Sequence, residues 1–135
     1  MSSPVTALRE AIRTALLAAP PVLALLREPK IHADPPRHVA FPHIAFVAAS
    51  ARENGTGSDD GHIVTLSIGI WCRGKGSDEG LALAAAVAGA LPTAPLTLTG
   101  HRLVNLVLLS VEPEALTDRE SWRILLRLRA VTEVL

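Results

Sequence analysis

The chain of 135 residues holds a single cysteine, Cys72, no tyrosine, and only 3% aromatic residues. One cysteine rules out an intramolecular disulfide and a cysteine-rich metal site, and suits a reducing cytoplasm. The shortage of rings leaves the core to Leu, Val, Ile and Ala, with nothing for an aromatic ligand cage. Neither sign of charge is in excess: 13 Lys and Arg balance 13 Asp and Glu, for a formal net charge of zero. A dedicated nucleic-acid binder carries a basic excess to neutralise phosphates, so neutrality argues against strong DNA binding. It leaves room for a neutral ring through which DNA passes. It also removes the self-repulsion that would oppose assembly. The longest apolar run, Leu81 to Leu91, is too short to span a bilayer and reads as a core helix. Met1 to Pro4 lacks the basic and apolar regions of a signal peptide.

Sequence patterns of chemistry are equally sparse. Gly69-x-x-x-x-Gly74-Lys75 resembles the start of a phosphate loop, but Gly76 stands where Ser or Thr would hold a metal. Gly69 also falls inside a strand pattern, where the loop should follow the strand. The histidines, His32, His38, His43, His62 and His101, show no helical ligand spacing, so no metal site and no cofactor is expected. There is no Gly-x-Ser-x-Gly elbow, and Asn54-Gly55-Thr56 matches a glycosylation acceptor without any sign of secretion. Arg73 and Lys75 beside Cys72 would lower its pKa in the open; a buried packing role is the simpler expectation. No catalytic residue is expected.

What the chain does have is aliphatic residues at regular spacing. Hydrophobic residues make up 49%, and the length suits one domain over 1–135 with a core of its own. Ser3-Pro4 forms a helix start, and Val5, Leu8, Ile12 and Leu16 follow on one helical face for about four turns. Pro20-Pro21 ends that helix and opens a short piece through Leu26. The prolines between 29 and 42 impose an extended connector, with a short edge strand at Lys30–His32. Strands are expected at His43–Arg52 and His62–Arg73, joined by a polar hairpin loop at 54–61. Ser77 caps an Ala-rich helix to about Leu91, with Asp78 and Glu79 in its first turn. Strands at His101–Glu112 and Ser121–Val134 flank a turn at Pro113–Glu120. The order helix-strand-strand-helix-strand-strand predicts an α+β fold: a mostly antiparallel four-stranded sheet with two main helices packed on it.

The third of these strands reads Leu103, Val104, Asn105, Leu106, Val107, Leu108, Leu109 and is apolar on both faces. Either it is central and covered on both sides, or a neighbouring subunit covers one face. The fourth strand alternates, with Trp122, Ile124, Leu126, Leu128 and Ala130 on one face. Arg123, Leu125, Arg127 and Arg129 take the other. That arginine row reads as a solvated face, an intersubunit salt-bridge row or a weakly DNA-attracting lumen wall. The intersubunit role is favoured because Glu112, Glu114, Asp118 and Glu120 supply carboxylates.

Several segments together resemble the tail-completion family of long-tailed phages and of alphaproteobacterial gene transfer agents. They are Ala7-Leu8 and Ala11-Ile12 in the first helix, Ile31 with Asp34-Pro35-Pro36, and Phe41-Pro42-His43-Ile44. Ile70-Trp71-Cys72-Arg73, Gly100-His101-Arg102-Leu103-Val104-Asn105 and Leu126-Arg127-Leu128-Arg129-Ala130 follow in order, so the likeness spans nearly the whole chain. His32 departs from the Tyr the family often carries. The resemblance implies no enzyme but a virion structural protein at the head–tail junction, assembled in the bacterial cytoplasm. It implies a ring, usually a homohexamer, that caps the tail tube protein, meets the head–tail connector or stopper protein, and lets DNA pass without sequence-specific binding. A head–tail adaptor or stopper of the same particle is the nearest alternative; a small-molecule-binding α+β domain is a more distant one. Candidate assembly contacts are Asn54, Thr56, Ser58, Asp59 and Asp60 in the polar loop, with Arg123, Arg127 and Arg129.

Overall fold

The Ser3 hydroxyl accepts from the Val5 and Thr6 amides at 3.2 and 3.4 Å, and Pro4 opens a helix that runs Pro4–Leu17, α1. The capping hydroxyl satisfies donors that the first turn leaves without partners. In this computed structural model, which describes residues 3–34, 40–54, 61–74, 77–91 and 96–135, seven further elements follow. They are α2 (Pro20–Leu26), β1 (Ile31–His32), β2 (His43–Glu53), β3 (Gly61–Arg73), α3 (Asp78–Ala90), β4 (His101–Ala115) and β5 (Ser121–Val134). Ser77 stands at the start of α3, yet its side chain makes no capping hydrogen bond; Asp78 and Glu79 are left to meet the helix dipole there.

The strands form one sheet in the order β1-β2-β3-β5-β4. The α+β class holds; the four-stranded sheet with two main helices gains a fifth strand and a third helix, the short edge strand expected at Lys30–His32 and the short piece expected from Pro20 to Leu26. β1 pairs parallel to β2 through Ile31↔Ile44 and His32↔Ala45, while the remaining pairs are antiparallel, so the sheet is mixed. Two residues give no periodic signal; β1 is held by its surroundings. Arg13 Nε donates to the Ile31 carbonyl at 2.8 Å, and the Ile44 amide to the Lys30 carbonyl at 2.9 Å. α2 is the short piece after Pro20-Pro21, ended by Arg27 in the left-handed region at φ 69°.

α1 and α3 pack on one face of the sheet. Their buried residues, Leu8, Ile12 and Leu16 from α1 and Leu83, Ala84 and Val87 from α3, meet Leu66, Ile68, Ile70, Ile124, Leu126 and Leu128 in one cluster. The period of two along β3 and β5 puts these strand residues on the same side. β4 is neither central nor covered by helices on both faces: it is the last strand of the sheet, paired only with β5 among the described residues.

α3 approaches the sheet at Gly80. A Cβ there would lie 2.6 Å from Ile124 Cγ1 and 2.7 Å from Cys72 Sγ. Cys72 is fully buried beneath it. Gly80→Ala should therefore lower stability by about 1–3 kcal/mol through overpacking, although Ala is the better helix former. Chemical denaturation of the two proteins measures the difference.

Candidate assembly surface

β4 departs from the pattern of the other strands. Its length would suit a core strand, but Val104, Val107, Leu108, Leu109 and Val111 are all exposed, Leu109 at 53%. Its register against β5 slips between Leu103 and Asn105 and again between Leu108 and Ser110. Such bulges twist an edge strand and re-aim its side chains. The result is a row of aliphatic groups beside unpaired backbone, the combination that proteins usually blunt with charge.

The sheet face opposite the helices carries the arginine row, and it is partly charge-paired within the chain. Arg123 sits opposite Glu114 across the β4–β5 ladder and bonds it at 3.1 Å. Arg127 reaches diagonally to Glu112 at 2.8 Å, and the Ser110 hydroxyl donates to the same carboxylate at 2.6 Å. The Ser110 hydrogen bond, then Arg127, hold Glu112 below the usual carboxylate range. These are the cross-strand and diagonal contacts an antiparallel pair permits. Among the described residues no ion pair reaches Arg129. Of the polar-loop candidates, Asn54 is exposed, and its amide donates to the Gly61 carbonyl at 3.0 Å. Thr56, Ser58, Asp59 and Asp60 lie outside the described residues.

One end of the sheet is tied together by side chains. Trp71 stacks on His43, its direct cross-strand partner, with ring centroids 5.0 Å apart and planes 9° from parallel. Burial is the main cause that lowers the His43 pKa. The Trp71 ring also lies over Gly69, where a Cβ would come within 2.7 Å of it; that glycine makes room for a ring inside β3. Arg73 stands over the Phe41 ring at 4.5 Å and also reaches the β4–β5 turn. There Asp118 accepts from the Glu120 and Ser121 amides at 3.0 and 2.8 Å and from the Ser121 hydroxyl at 2.6 Å. The sequence suggested Asp118 and Glu120 as partners for the arginine row; Asp118 instead closes its own turn.

Cys72 does not fit an activated nucleophile, since burial pushes its thiol up. His32 pairs edge-on with His43, and His62 with His101. Among the described residues no group of three or more His, Cys, Asp or Glu is placed to hold a metal. No described helix is long and apolar enough to cross a membrane. An open groove of about 860 Å³ runs between α1 and α3, lined mainly by Ala, Pro, Gly and Thr, with Glu10 its one ionisable residue. A small-molecule site needs several converging polar groups, which that lining lacks.

Sequence comparison gives a family to this α+β sheet, which is open along β4 and partly charge-paired on the face opposite the helices. The model of the family described as "Tail completion protein gp17" matches residues 10–133, so the chain belongs to that family. It is therefore a structural tail-completion protein and not an enzyme. No curated protein sequence matches the chain. Among solved structures it is similar to a chain of the virion of a native gene transfer agent particle. The two share 25% identity, with 98% of this chain and 99% of that one covered at a TM-score of 0.87. It also shares its fold with the gp17 protein of bacteriophage SPP1, at 21% identity over 96% of this chain and 89% of that one, TM-score 0.59.

The Asp118 turn has a measurable acid signature. Its hydrogen bonds, led by the Ser121 hydroxyl, hold its pKa at about 2, below the 3.8 of an unperturbed aspartate. A carboxylate depressed in the folded state adds stability above its unfolded pKa and loses it as pH falls. Wild-type stability should thus drop between about pH 3.8 and pH 2 by more than that of Asp118→Ala. The variant should be the less stable at pH 7. Thermal melts across that window compare the two slopes.

Proposed function

We propose that the chain is the ring-forming tail terminator of a phage-like particle: six copies cap the finished tail tube and present a docking surface to the head-proximal connector. The observation that carries this is the aliphatic, unpaired β4 edge, in a chain that a gene transfer agent virion component matches over nearly its full length. A monomer rarely leaves such a strip bare, and a copy placed by rotation covers it while exposing the same strip again. Rotation that closes makes a ring; rotation that does not makes a filament. Zero net charge suits a lumen that lets DNA through without holding it.

In this arrangement the polar-loop residues Asn54, Thr56, Ser58, Asp59 and Asp60 contact the tube or the connector, because a segment with no apolar residue has no core role and offers polar groups to a partner. Arg123, Arg127 and Arg129 contact a neighbour or face the lumen. Glu112 and Glu114 neutralise two of them in advance, which leaves Arg129 with charge to offer.

Removing the gene from particle-producing cells should leave heads and tails unjoined, and electron microscopy of complemented particles should show a sixfold ring at the junction. Normal particles without the gene would sink the proposal. A narrower test concerns the arginine row. Arg127→Glu with Arg129→Glu should cut the yield of joined particles at least tenfold while the purified chain stays folded. Unchanged yield would take the row out of the interface.

A further inference from the structure

The two outer edges of the sheet are open over the same stretch and closed at the same rung. β1 covers β2 only at Ile44 and Ala45, so the outer edge of β2 has no partner strand from Phe46 to Glu53 among the described residues. On the far side of the sheet the β4 edge has no partner strand from Arg102 among the described residues, and Pro113 blunts it because proline has no amide hydrogen to donate. Ile31, Ile44, Ile70, Ile124 and Pro113 are successive partners across the sheet. The closure by β1 and the closure by Pro113 therefore fall on one rung. Beyond it, the open half of β2 lies level with the open half of β4. Ala49 shares a rung with Leu108, Ser50 with Val107 and Ala51 with Leu106.

The two stretches also differ in a complementary way. β4 offers the bulky exposed Val104, Val107, Leu108 and Leu109. β2 offers Ala48, Ala49, Ser50 and Ala51, all exposed and small enough to receive them. Arg102, already ion-paired with Glu133 of its own chain, stands at the end of one stretch, and Glu53, one rung away, at the end of the other. β2 is antiparallel to β3, β3 to β5 and β5 to β4, so the two edge strands run in opposite directions. A rotation about an axis along the strands keeps every copy upright. It brings the β4 edge of one copy to the β2 edge of the next in antiparallel orientation, the pairing that continues the sheet.

We infer that the ring closes by edge-strand pairing between copies: β4 of each subunit adds to the free half of β2 of the next, making a continuous sheet around the lumen with α1 and α3 outside. This rests on the ring proposed above and supplies its interface. A two-fold β4-to-β4 pairing would also cover the aliphatic strip, but it would stop at two copies and leave every β2 edge open. Head-to-tail pairing uses both edges and leaves none.

The test is cysteine trapping in particles. Directly opposed residues of an antiparallel pair bring Cα atoms within disulfide reach, and closing a barrel staggers neighbouring strands. Ala49→Cys is therefore combined in turn with Leu106→Cys, Leu108→Cys or Val111→Cys. Particles carrying each chain are oxidised, alkylated and run on a denaturing gel; Cys72 stays buried throughout. At least one combination should give a covalent ladder reaching six chains, and each single variant should stay monomeric. A dimer from Leu108→Cys alone would establish the two-fold pairing and overturn the inference. Particles that contain the double variants but give no ladder would overturn it as well, with the ring left standing. If the wild-type chain itself is missing from the head–tail junction, the ring and its interface fall together.

Variants that fail to enter particles leave a measurement on the wild type. Amide hydrogen exchange should be at least tenfold slower in assembled than in dissociated protein at both 47–53 and 102–110. Protection confined to β4 would refute the pairing.

Discussion

The β3–β5 ladder is the element on which the remainder of the molecule depends. It runs without a register break from Gly61↔Glu133 to Arg73↔Ser121. Both strands place aliphatic residues on the helix side at every second position, which makes a flat apolar floor for α1 and α3. The neighbouring pairs are less regular: β2 shifts against β3 between Phe46 and Ala48, and β4 shifts twice against β5. Irregularity is thus confined to the outer strands, where a bulge re-aims side chains without opening the core. The centre holds the fold and the edges are free to specialise.

Much of this was legible as periodicity. The alternation of Ile124, Leu126 and Leu128 with Arg123, Arg127 and Arg129 set the two faces of β5, and the spacing of Leu8, Ile12 and Leu16 set the buried stripe of α1. The place of β4 was not legible. Leu103 to Leu109 reads the same whether a strand is buried inside its own domain or waits at an edge for another chain, because periodicity reports apolarity and not what covers it. β1 was expected as a short edge strand at Lys30–His32, but two residues carry no period and its parallel pairing with β2 was not legible; Ser77 has the right residue type for a cap without making the bond. The arginine partners were legible in kind but not in number. Pairing Arg127 with Glu112 depends on the slip at Leu108/Ser110, which no local sequence rule supplies.

Two ends of one sheet have been given different work. At the end beyond the Ile44 rung, the His43–Trp71 stack, the Arg73–Phe41 contact and the Arg73 bonds to Asp118 and Ser121 tie β2, β3 and the β4–β5 turn together through side chains. At the other end, among the described residues, the β2 and β4 edges lack partner strands, and the side chains along them are mostly small or aliphatic. The side-chain ties of the first end thus lie away from the edges proposed to pair between copies.

The aliphatic character of β4 has a thermal consequence. Covering Val104, Val107, Leu108, Leu109 and Val111 removes apolar surface from water, and such burial is driven near room temperature by solvent entropy and carries a negative heat-capacity change. An association built on this strip weakens on cooling. In the proposed ring, temperature is then a variable that governs how firmly one copy holds the next.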